Sequence, residues 1–468
     1  MKRRLLPILM TLVLVCALPI WAAFVTSGDV TNPLVSTAGA TLPDLQAKID
    51  AAADNATITL DSDTTITETL VITVKTLTLD LNGCTLRMTG TGSVLKVSDR
   101  ATLTITDSSA EGTGTITGGN AEYGGGVYVE AYATLEMTGG CITGCCADED
   151  GGGVYVDDYA ALKMTGGCIT GCRAEDGGGV YIDHNATLKM TGGCITDCHA
   201  SYGGGGIFSY ENLYMSGTAK IEKCTSKWGS DDAIWNAEGV IYADGGTVDG
   251  TVNNQGTITR SNGTNANAAT VFNKTVYMRG SKYTKRCIEA GTYNGTVENT
   301  GSIIGGTFYG TVRNQKNSMG LNITGSVTGG TFYGPIVNEV GPGQVTGGTF
   351  AVRFDTGDGT KPEPTLVPWN GKVPRPTSDP EKSGHTFVGW YLGGEKYNFD
   401  TPITAPLTLT ARWEEVPSSG GYYYYHPTTD TKTTDTKGSP KTADPGVALY
   451  AALSLLSLTG LTCITKKR

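Results

Sequence analysis

Short runs of alternating apolar and polar residues fill the middle of the chain and return at a nearly fixed interval. The segment Gly124–Val129 recurs as Gly151–Val156, as Gly177–Ile182 and, more loosely, as Gly203–Phe208, at spacings of 27, 26 and 26 residues. Within a repeat three runs alternate as half-buried strands do, and none has helical spacing. A period of this length with glycine at the turns predicts a solenoid in which every turn is one coil of short strands. The sequence therefore predicts a parallel β-helix.

The pattern continues on both sides of these copies. One well-preserved coil has its strands predicted at Gly153–Val156, Ala161–Met164 and Cys168–Thr170. Upstream, Leu42 to Ala53 has its apolar residues at helical spacing, which predicts a helix that covers the open edge of the first coil. The strands predicted for the first coils are Ala56–Leu60, Leu70–Val74 and Leu77–Leu81.

A second glycine motif replaces the first in the C-terminal coils. It begins at Gly245 and returns from Gly291, Gly305 and Gly329. Each copy ends in an asparagine, and stacked amides at equivalent positions of a solenoid can hydrogen-bond along its axis. The sequence predicts a ladder formed by Asn254, Asn299, Asn314 and Asn338.

These segments resemble right-handed parallel β-helix surface proteins of bacteria, the pectate-lyase-like fold. The resemblance is carried by the Gly-Gly-Gly-Val-Tyr units with Met-Thr-Gly-Gly-Cys-Ile-Thr, together with Leu79–Gly83, and it covers about two thirds of the chain. It implies the fold, but adhesins, lyases and hydrolases all use this fold, so it implies little about function.

The pattern changes at Ala351. The segments Val352–Gly357, Gly384–Tyr391, Phe399–Asp400 and Leu407–Trp413 resemble one Listeria–Bacteroides repeat module. That family implies a small β-grasp-like domain of bacterial surface proteins that serves as a spacer or contact module, without catalysis.

The N-terminal end predicts secretion. Lys2, Arg3 and Arg4 precede a short apolar core from Leu5 to Ala17, followed by small residues at Ala22 and Ala23. This is the pattern of a cleaved secretory signal, and a retained membrane anchor is the alternative.

The C-terminal end predicts an anchor. Val447 to Ile464 is an 18-residue apolar run followed directly by a basic tail, as in a membrane helix with its positive side in the cytoplasm. The preceding residues resemble the sorting signals of Gram-positive bacteria, which implies that a sortase cleaves after Thr442 and joins the chain to peptidoglycan. A simple membrane anchor is the alternative, since Ala443 stands where glycine is common. The signal consists of Ser439, Pro440, Lys441, Thr442 and Ala443.

Composition narrows the function classes. Glycine supplies 66 of the 468 residues, roughly twice its usual ~7% share, while 17% of residues are charged and 39% apolar. These values exclude a disordered polyelectrolyte and a membrane bundle. With 45 acids against 35 cations the net charge is −10, which argues against nucleic acid and anionic membrane surfaces as partners.

Seven of the twelve cysteines fall into two columns of the repeat. Cα atoms stacked ~4.8 Å apart lie inside the distance range of disulfides, although in-register side chains point the same way. Three hypotheses stay open: a ladder of buried thiols, disulfides between coils, and a metal site, for which Cys-x-x-Cys spacing is lacking. The columns are Cys141, Cys168, Cys194 and Cys145, Cys172, Cys198, Cys224.

Strand alternation also predicts a possible ligand stripe. If Val127 and Val129 face inward, the residues between and after them face outward as a column of aromatic rings beside carboxylates. Such a column can stack on sugar rings and hydrogen-bond their hydroxyls, or it can simply stabilise the sheet and keep it soluble. The stripe consists of Tyr128, Tyr155, Tyr181, Phe208, Glu130, Asp157 and Asp183.

The same region offers acids for catalysis or for cation binding. Asp157, Asp158 and Asp183 lie on neighbouring coils, and paired carboxylates hydrolyse glycosides. They follow the repeat without a lone basic residue on the strand, so we expect no catalytic residues. A second acidic group could bind calcium between coils, although a solvated turn is the simpler interpretation, and we expect no cofactor. That group comprises Asp148, Glu149, Asp150, Glu175 and Asp176.

Taken together, the sequence predicts an all-β surface protein anchored to a Gram-positive cell wall, with glycan or host or dietary protein as ligand. A polysaccharide-degrading enzyme and a passive spacer are the alternatives. The predicted organisation is a signal peptide at 1–23, a capping segment at 24–55, the β-helix at 56–350, the repeat module at 351–415, a wall-spanning linker at 416–438 and the sorting signal at 439–468, with its membrane helix at 447–464.

Overall fold

The computed structural model describes residues 42–227, 232–261, 270–272, 276–278, 287–315, 325–339 and 345–416. The predicted signal peptide, the sorting signal, its membrane helix and all but the first residue of the linker lie outside the described residues. Within the described ranges, no helix is long and apolar enough to span a membrane.

These residues form one helix and 46 strands. The elements up to the eighth coil are α1 Leu42–Ala51, β1 Ala56–Thr59, β2 Thr64–Ile66, β3 Leu70–Thr73, β4 Thr76–Asp80, β5 Thr85–Met88, β6 Leu95–Ser98, β7 Thr102–Thr106, β8 Thr115–Thr117, β9 Asn120–Tyr123, β10 Val127–Val129, β11 Thr134–Met137, β12 Cys141–Thr143, β13 Cys146–Asp150, β14 Val154–Val156, β15 Ala161–Met164, β16 Cys168–Thr170, β17 Arg173–Ala174, β18 Val180–Ile182, β19 Thr187–Met190, β20 Cys194–Thr196, β21 His199–Ala200, β22 Ile207–Ser209, β23 Asn212–Met215, β24 Lys220–Glu222 and β25 Thr225–Ser226. The later strands are β26 Asp232–Asn236, β27 Val240–Ala243, β28 Thr247–Asp249, β29 Thr251–Asn254, β30 Thr257–Thr259, β31 Val271–Phe272, β32 Val276–Met278, β33 Cys287–Ile288, β34 Thr292–Tyr293, β35 Val297–Asn299, β36 Ser302–Ile303, β37 Thr307–Phe308, β38 Val312–Asn314, β39 Ser326–Val327, β40 Thr331–Phe332, β41 Ile336–Asn338, β42 Thr349–Asp355, β43 Thr365–Pro368, β44 His385–Leu392, β45 Glu395–Lys396 and β46 Leu407–Glu415.

The strands stack in parallel, one coil upon the next, which confirms the predicted parallel β-helix. Stack 1 has twelve strands from β1 and β4 to β39, and stack 3 has twelve from β3 and β6 to β41. Stack 2 runs from β2 and β5 to β40 and continues into β42. A coil therefore passes from stack 1 to stack 2 and then to stack 3.

Five coils contain a fourth strand that the sequence did not predict. Stack 4 consists of β9, β13, β17, β21 and β25, placed between stacks 2 and 3. These strands are short and polar, and β17 and β21 have only two residues each. Such a segment has no apolar alternation to reveal it, so the sequence pattern indicated a loop there.

Every coil buries its alternate residues in one continuous core. In β11 and its successors, the methionines of the repeat pair in register, from Met137 through Met164 and Met190 to Met215. All four side chains are fully buried. The side chains between them, such as Glu136 and Lys163, face solvent and form an ion pair at 2.8 Å.

The three consecutive glycines of the repeat are required for different reasons. Gly151 has a φ of +68°, which side chains disfavour. A Cβ on Gly152 would lie 2.2 Å from the carbonyl oxygen of Arg173, and one on Gly153 would lie 2.5 Å from Cγ2 of Ile169. Neighbouring coils approach the glycine backbone too closely for any side chain.

Helix α1 covers the first coil, as predicted. Leu45 and Ile49 are buried against it. The side chain of Gln46 accepts a hydrogen bond from the backbone N–H of Val71 at 2.9 Å and donates one to its carbonyl at 3.0 Å. Lys75 donates to three carbonyls at the helix C-terminus, each at 3.0 Å. The open edge of β3 is thereby paired with a side chain.

The asparagine ladder is confirmed for three of its four predicted members, and Asn254 does not join it. Asn299 donates to Asn314 at 2.8 Å, and Asn314 donates to Asn338 at 2.7 Å. A separate pair joins Asn236 to Asn254 at 2.6 Å. The residue between the two parts of the column is Met278, whose sulfur lies 3.3 Å from the amide nitrogen of Asn254.

The C-terminal module shares its first strand with the β-helix. Thr349 and Phe350 of β42 pair with β40, while the rest of β42 pairs in parallel with β46. β43 pairs antiparallel with β42, and β44 pairs antiparallel with β45 and β46. The parallel pairing of the first and last strands agrees with the β-grasp-like resemblance, although residues 345–416 contain no helix.

Candidate functional site

A column of aromatic rings lies on the outer side of stack 3. We call it the aromatic ladder; it consists of Tyr128, Tyr155, Tyr181, Phe208 and Trp235, which occupy equivalent positions in β10, β14, β18, β22 and β26. Successive rings stack face to face, with centroids 5.2–5.4 Å apart from the first ring to the fourth and 6.2 Å apart at the last step. Lys96 covers the first ring, 5.4 Å from its centroid.

The prediction that this ladder is exposed is wrong for its central members. Tyr155, Tyr181 and Phe208 are only 8%, 8% and 7% exposed. Tyr123 from β9 and Tyr210 from the turn after β22 pack against them. The ring faces are occupied by neighbouring rings, so a sugar cannot stack on them. The ladder is a second hydrophobic cluster outside the main core.

The carboxylates predicted beside the rings bind tyrosine hydroxyls of the preceding coil. Tyr128 donates to Asp157 at 2.9 Å, and Tyr155 donates to Asp183 at 2.7 Å. Glu130 instead forms an ion pair with Lys96 at 3.2 Å. Burial opposes ionisation of Asp183, but the Tyr155 hydroxyl and contacts with His184 hold its pKa below the usual value. These acids fix the ladder in place.

A second row of acids lies on the other side of the ladder, at the ends of the stack 4 strands. Asp150 and Asp176 stand on adjacent coils at bridged positions. Burial and the charges of Asp176, Glu149 and Asp183 raise the pKa of Asp150 to about 7. Burial also raises the pKa of Asp176, although the backbone N–H of Gly203 donates to it at 2.8 Å. The sequence offered these acids as a possible calcium site between coils or, more simply, as a solvated turn, and the calcium hypothesis stays a prediction.

Two acids from the predicted ligand stripe and the candidate catalytic set lie close to one histidine. Asp158, Asp183 and His184 each bring a potential metal-ligating atom within 4.8 Å of the others. Nδ1 of His184 lies 2.7 Å from Asp183, and its ring stacks on Tyr210 with centroids 4.5 Å apart. The structure thus brings Asp158 and Asp183 together, while Asp157 pairs with the ladder.

Two tyrosines in the turn after stack 3 were not singled out by the sequence. Tyr132 and Tyr159 are 54% and 53% exposed, and their rings stack almost parallel, 5.1 Å apart. The guanidinium of Arg100 lies 5.3 Å from the centroid of Tyr132. The sequence did contain a signal for this pair, because both tyrosines occupy the same position of the repeat, two residues before the next strand.

The two cysteine columns differ. Cys141 and Cys168 are joined as a disulfide with Cα atoms 4.6 Å apart, while Cys194 is a free, half-buried thiol. The other column is a ladder of free, fully buried thiols, in which contact with Cys172 and burial raise the pKa of Cys145. Two of the three hypotheses therefore hold, one per column, and the metal hypothesis stays a prediction. The ladder consists of Cys145, Cys172, Cys198 and Cys224.

Comparison with known proteins identifies one part of the chain. Residues 350–412 match the family model of the Listeria–Bacteroides repeat domain, a family found in surface proteins. This confirms the resemblance of the C-terminal module. No curated protein and no solved structure matches the chain.

Proposed function

We propose that this protein is secreted, is anchored to a Gram-positive cell wall through sortase, and uses its β-helix to bind a glycan or a protein outside the cell. The repeat module supports surface display, because its family is typical of surface proteins. The Cys141–Cys168 disulfide suits an oxidising compartment. The negative charge keeps nucleic acid and anionic membranes from serving as partners.

The observation that carries the binding role is the repetition of aromatic and acidic side chains at the same place in successive coils. Tyr132 and Tyr159 are exposed, and acids such as Asp158 stand beside them. Exposed aromatic rings next to hydrogen-bonding groups are the chemistry of sugar and protein recognition.

The proposed function is tested with the purified full chain on immobilised mucins and plant polysaccharides. Bound protein and released reducing ends are read from the same wells. Binding without release supports the proposal, and absence of binding to all of them leaves a protein ligand or a passive spacer. In the source cells, Thr442→Ala should shift the protein from the wall fraction to the membrane fraction. An unchanged wall fraction would contradict the sortase step.

A polysaccharide lyase or glycoside hydrolase is the second candidate, and one observation favours it. The pKa of Asp150 is raised to about 7 while that of Asp183 is lowered, so one carboxyl holds a proton where the other is ionised. Such a difference between two carboxyl groups is the pattern of an acid and base pair. Release of reducing ends by the wild type, abolished in Asp150→Asn, would establish this candidate.

A further inference from the structure

We propose that the turn after stack 3 binds one pyranose ring of a neutral glycan on the free face of Tyr159, beside Asn185. The site rests on the proposed binding function and deepens it, because it names the ligand class and the contact residues. It replaces the aromatic ladder, whose ring faces are covered, as the place where a sugar stacks.

The turn has an unusual backbone that repeats from coil to coil. The equivalent residues Arg100, Tyr132, Tyr159 and Asn185 have φ values of +64°, +67°, +61° and +59°. A left-handed conformation costs roughly 1–2 kcal/mol for most side chains, and asparagine is among the few that adopt it readily. Asn185 is therefore the expected residue, whereas tyrosine at two successive positions needs a compensating gain. Ring stacking supplies part of it.

The stack of side chains on this turn ends at Tyr159. One face of its ring lies on Tyr132, whose other face is covered by Arg100. The N–H of Tyr159 donates to the carbonyl of His184 at 3.4 Å, so the turns follow each other in register. In the register of β15 and β19 the next residue of this column is Asn185, whose side chain is exposed and shorter than a tyrosine ring, so no ring follows Tyr159 at this position.

The space above the outer part of this ring fits one sugar ring. Successive coils rise by ~4.8 Å, which is within the range of separation between stacked rings. A pyranose lies with its C–H bonds on the tyrosine face and its hydroxyls at the rim. Hydroxyls of the sugar would bind the amide of Asn185 and the clustered polar atoms of Asp158, Asp183 and His184, which neighbour Tyr159 and Asn185 in the chain.

The charges around the turn favour a neutral ligand. Asp158 directly precedes Tyr159 in the chain, and its carboxylate clusters with that of Asp183 and with the His184 ring, so the turn carries negative charge that repels a uronic acid. Arg100, the cation of the turn column, is separated from the free face by two tyrosine rings. Neutral hexoses and N-acetylhexosamines carry no charge to be repelled.

The test uses titration calorimetry on the purified full chain. The neutral probes are cellohexaose, mannohexaose, xylohexaose and chitohexaose, and hexagalacturonate is the anionic probe. Tyr159→Asn is the main variant, because asparagine already occupies the same conformation at Asn185. Tyr309→Asn is the matched control. Tyr309 is also 53% exposed, and its ring stacks on Tyr333 with centroids 4.6 Å apart, in a different part of the β-helix.

We expect at least one neutral probe to bind, with affinity lowered tenfold or more in Tyr159→Asn and less than twofold in Tyr309→Asn. Tyr159→Phe should bind within about threefold of the wild type, because the ring face carries the contact. Unchanged affinity in Tyr159→Asn, or an equal loss in Tyr309→Asn, overturns the site while glycan binding stands. Tighter binding of hexagalacturonate than of every neutral probe overturns the ligand class. If no probe binds, the site is overturned, and the proposed binding function then rests on a protein ligand alone.

Discussion

The coils before β27 and the coils after it place their aromatic side chains on opposite sides of the strands. In the earlier coils, equivalent residues such as Val127 and Val154 are 27 positions apart, and the aromatic ladder stands outside the core. In the later coils the interval is shorter and less regular, 21 positions from Val276 to Val297, 15 from there to Val312 and 24 to Ile336. There the aromatic rings stand inside, in a fully buried column of Phe272, Tyr293, Phe308, Phe332 and Phe350.

The length of the coils explains why the aromatic rings lie outside the core in one region and inside it in the other. A long coil such as β11–β14 brings several aliphatic side chains inward, and these fill its centre. In a short coil, β34 and β37 have two residues each and one inward side chain per strand. Because protein interiors are packed to nearly constant density, each of the few inward side chains must be large. Aromatic residues are thus core in the short coils and become available for contacts outside the core in the long ones.

The largest expected effect comes from removing a ring of the inner column. Phe308 lies between Tyr293 and Phe332 at centroid distances of 4.8 and 4.7 Å. Phe308→Ala should lower the free energy of unfolding by about 3–5 kcal/mol, because it leaves a cavity in a short coil. Phe208→Ala, on the ladder, should cost clearly less. Urea unfolding of both variants checks this, and equal losses would contradict the comparison.

The asparagine ladder gives the next effect. Asn314 accepts a hydrogen bond from Asn299 and donates one to Asn338, and its side chain is fully buried. Asn314→Ala should cost about 1–3 kcal/mol, because it leaves a buried amide of Asn299 without that partner. Asn338→Ala, at the exposed end, is the control and should cost under half as much. A neutral Asn314→Ala in the same urea titration would mean that the ladder contributes nothing to stability.

The pH dependence of folding stability distinguishes the long coils, which contain Asp150, from the short ones. Asp150 has its pKa raised to about 7 in the folded state, above its ordinary value near 3.8. Its contribution to stability is therefore present below about pH 4 and is lost as pH rises through 7. Asp150→Asn should weaken this dependence, raising stability at pH 8 relative to the wild type by on the order of 1 kcal/mol, because solvent screens the half-buried group. Thermal melts at pH 5 and pH 8 measure it; parallel pH profiles for both proteins would refute the assignment.

The cysteine columns are tested through the reactivity of their thiols, and we expect the smallest effect on stability here. Native protein treated with an alkylating reagent should be labelled at the half-buried thiols of Cys84, Cys146 and Cys194. The buried thiols should react only after unfolding, because the reagent cannot reach them. Mass spectrometry of peptides locates the labels. Labelling of Cys172 or Cys198 in the native state would contradict the buried ladder.

Regular periodicity made the solenoid predictable. The inward valines and methionines, the capping helix with Leu45 and Ile49, and the column ending at Asn338 all follow from spacing alone. The module was recognised because its segments are local and distinctive. Stack 4 was missed because two-residue strands such as β17 have no alternation to detect. The turn position of Tyr159 was missed because the backbone conformation of a turn leaves little trace in hydrophobic pattern.

The amino-acid sequence by itself determined the repeat, the side of each strand that faces the core and the column in which each side chain stands. Only the tertiary structure decided what covers the outward side. Tyr155 and Tyr181 face outward as alternation requires, yet Tyr123 and Tyr210 from other parts of the coil bury them. Likewise burial, and then the charge of Asp176, 26 positions later in sequence and one coil away in space, raise the pKa of the Asp150 carboxyl. Alternation is a local property of one strand, whereas burial and charge interaction depend on neighbours that only the coiling of the chain brings together.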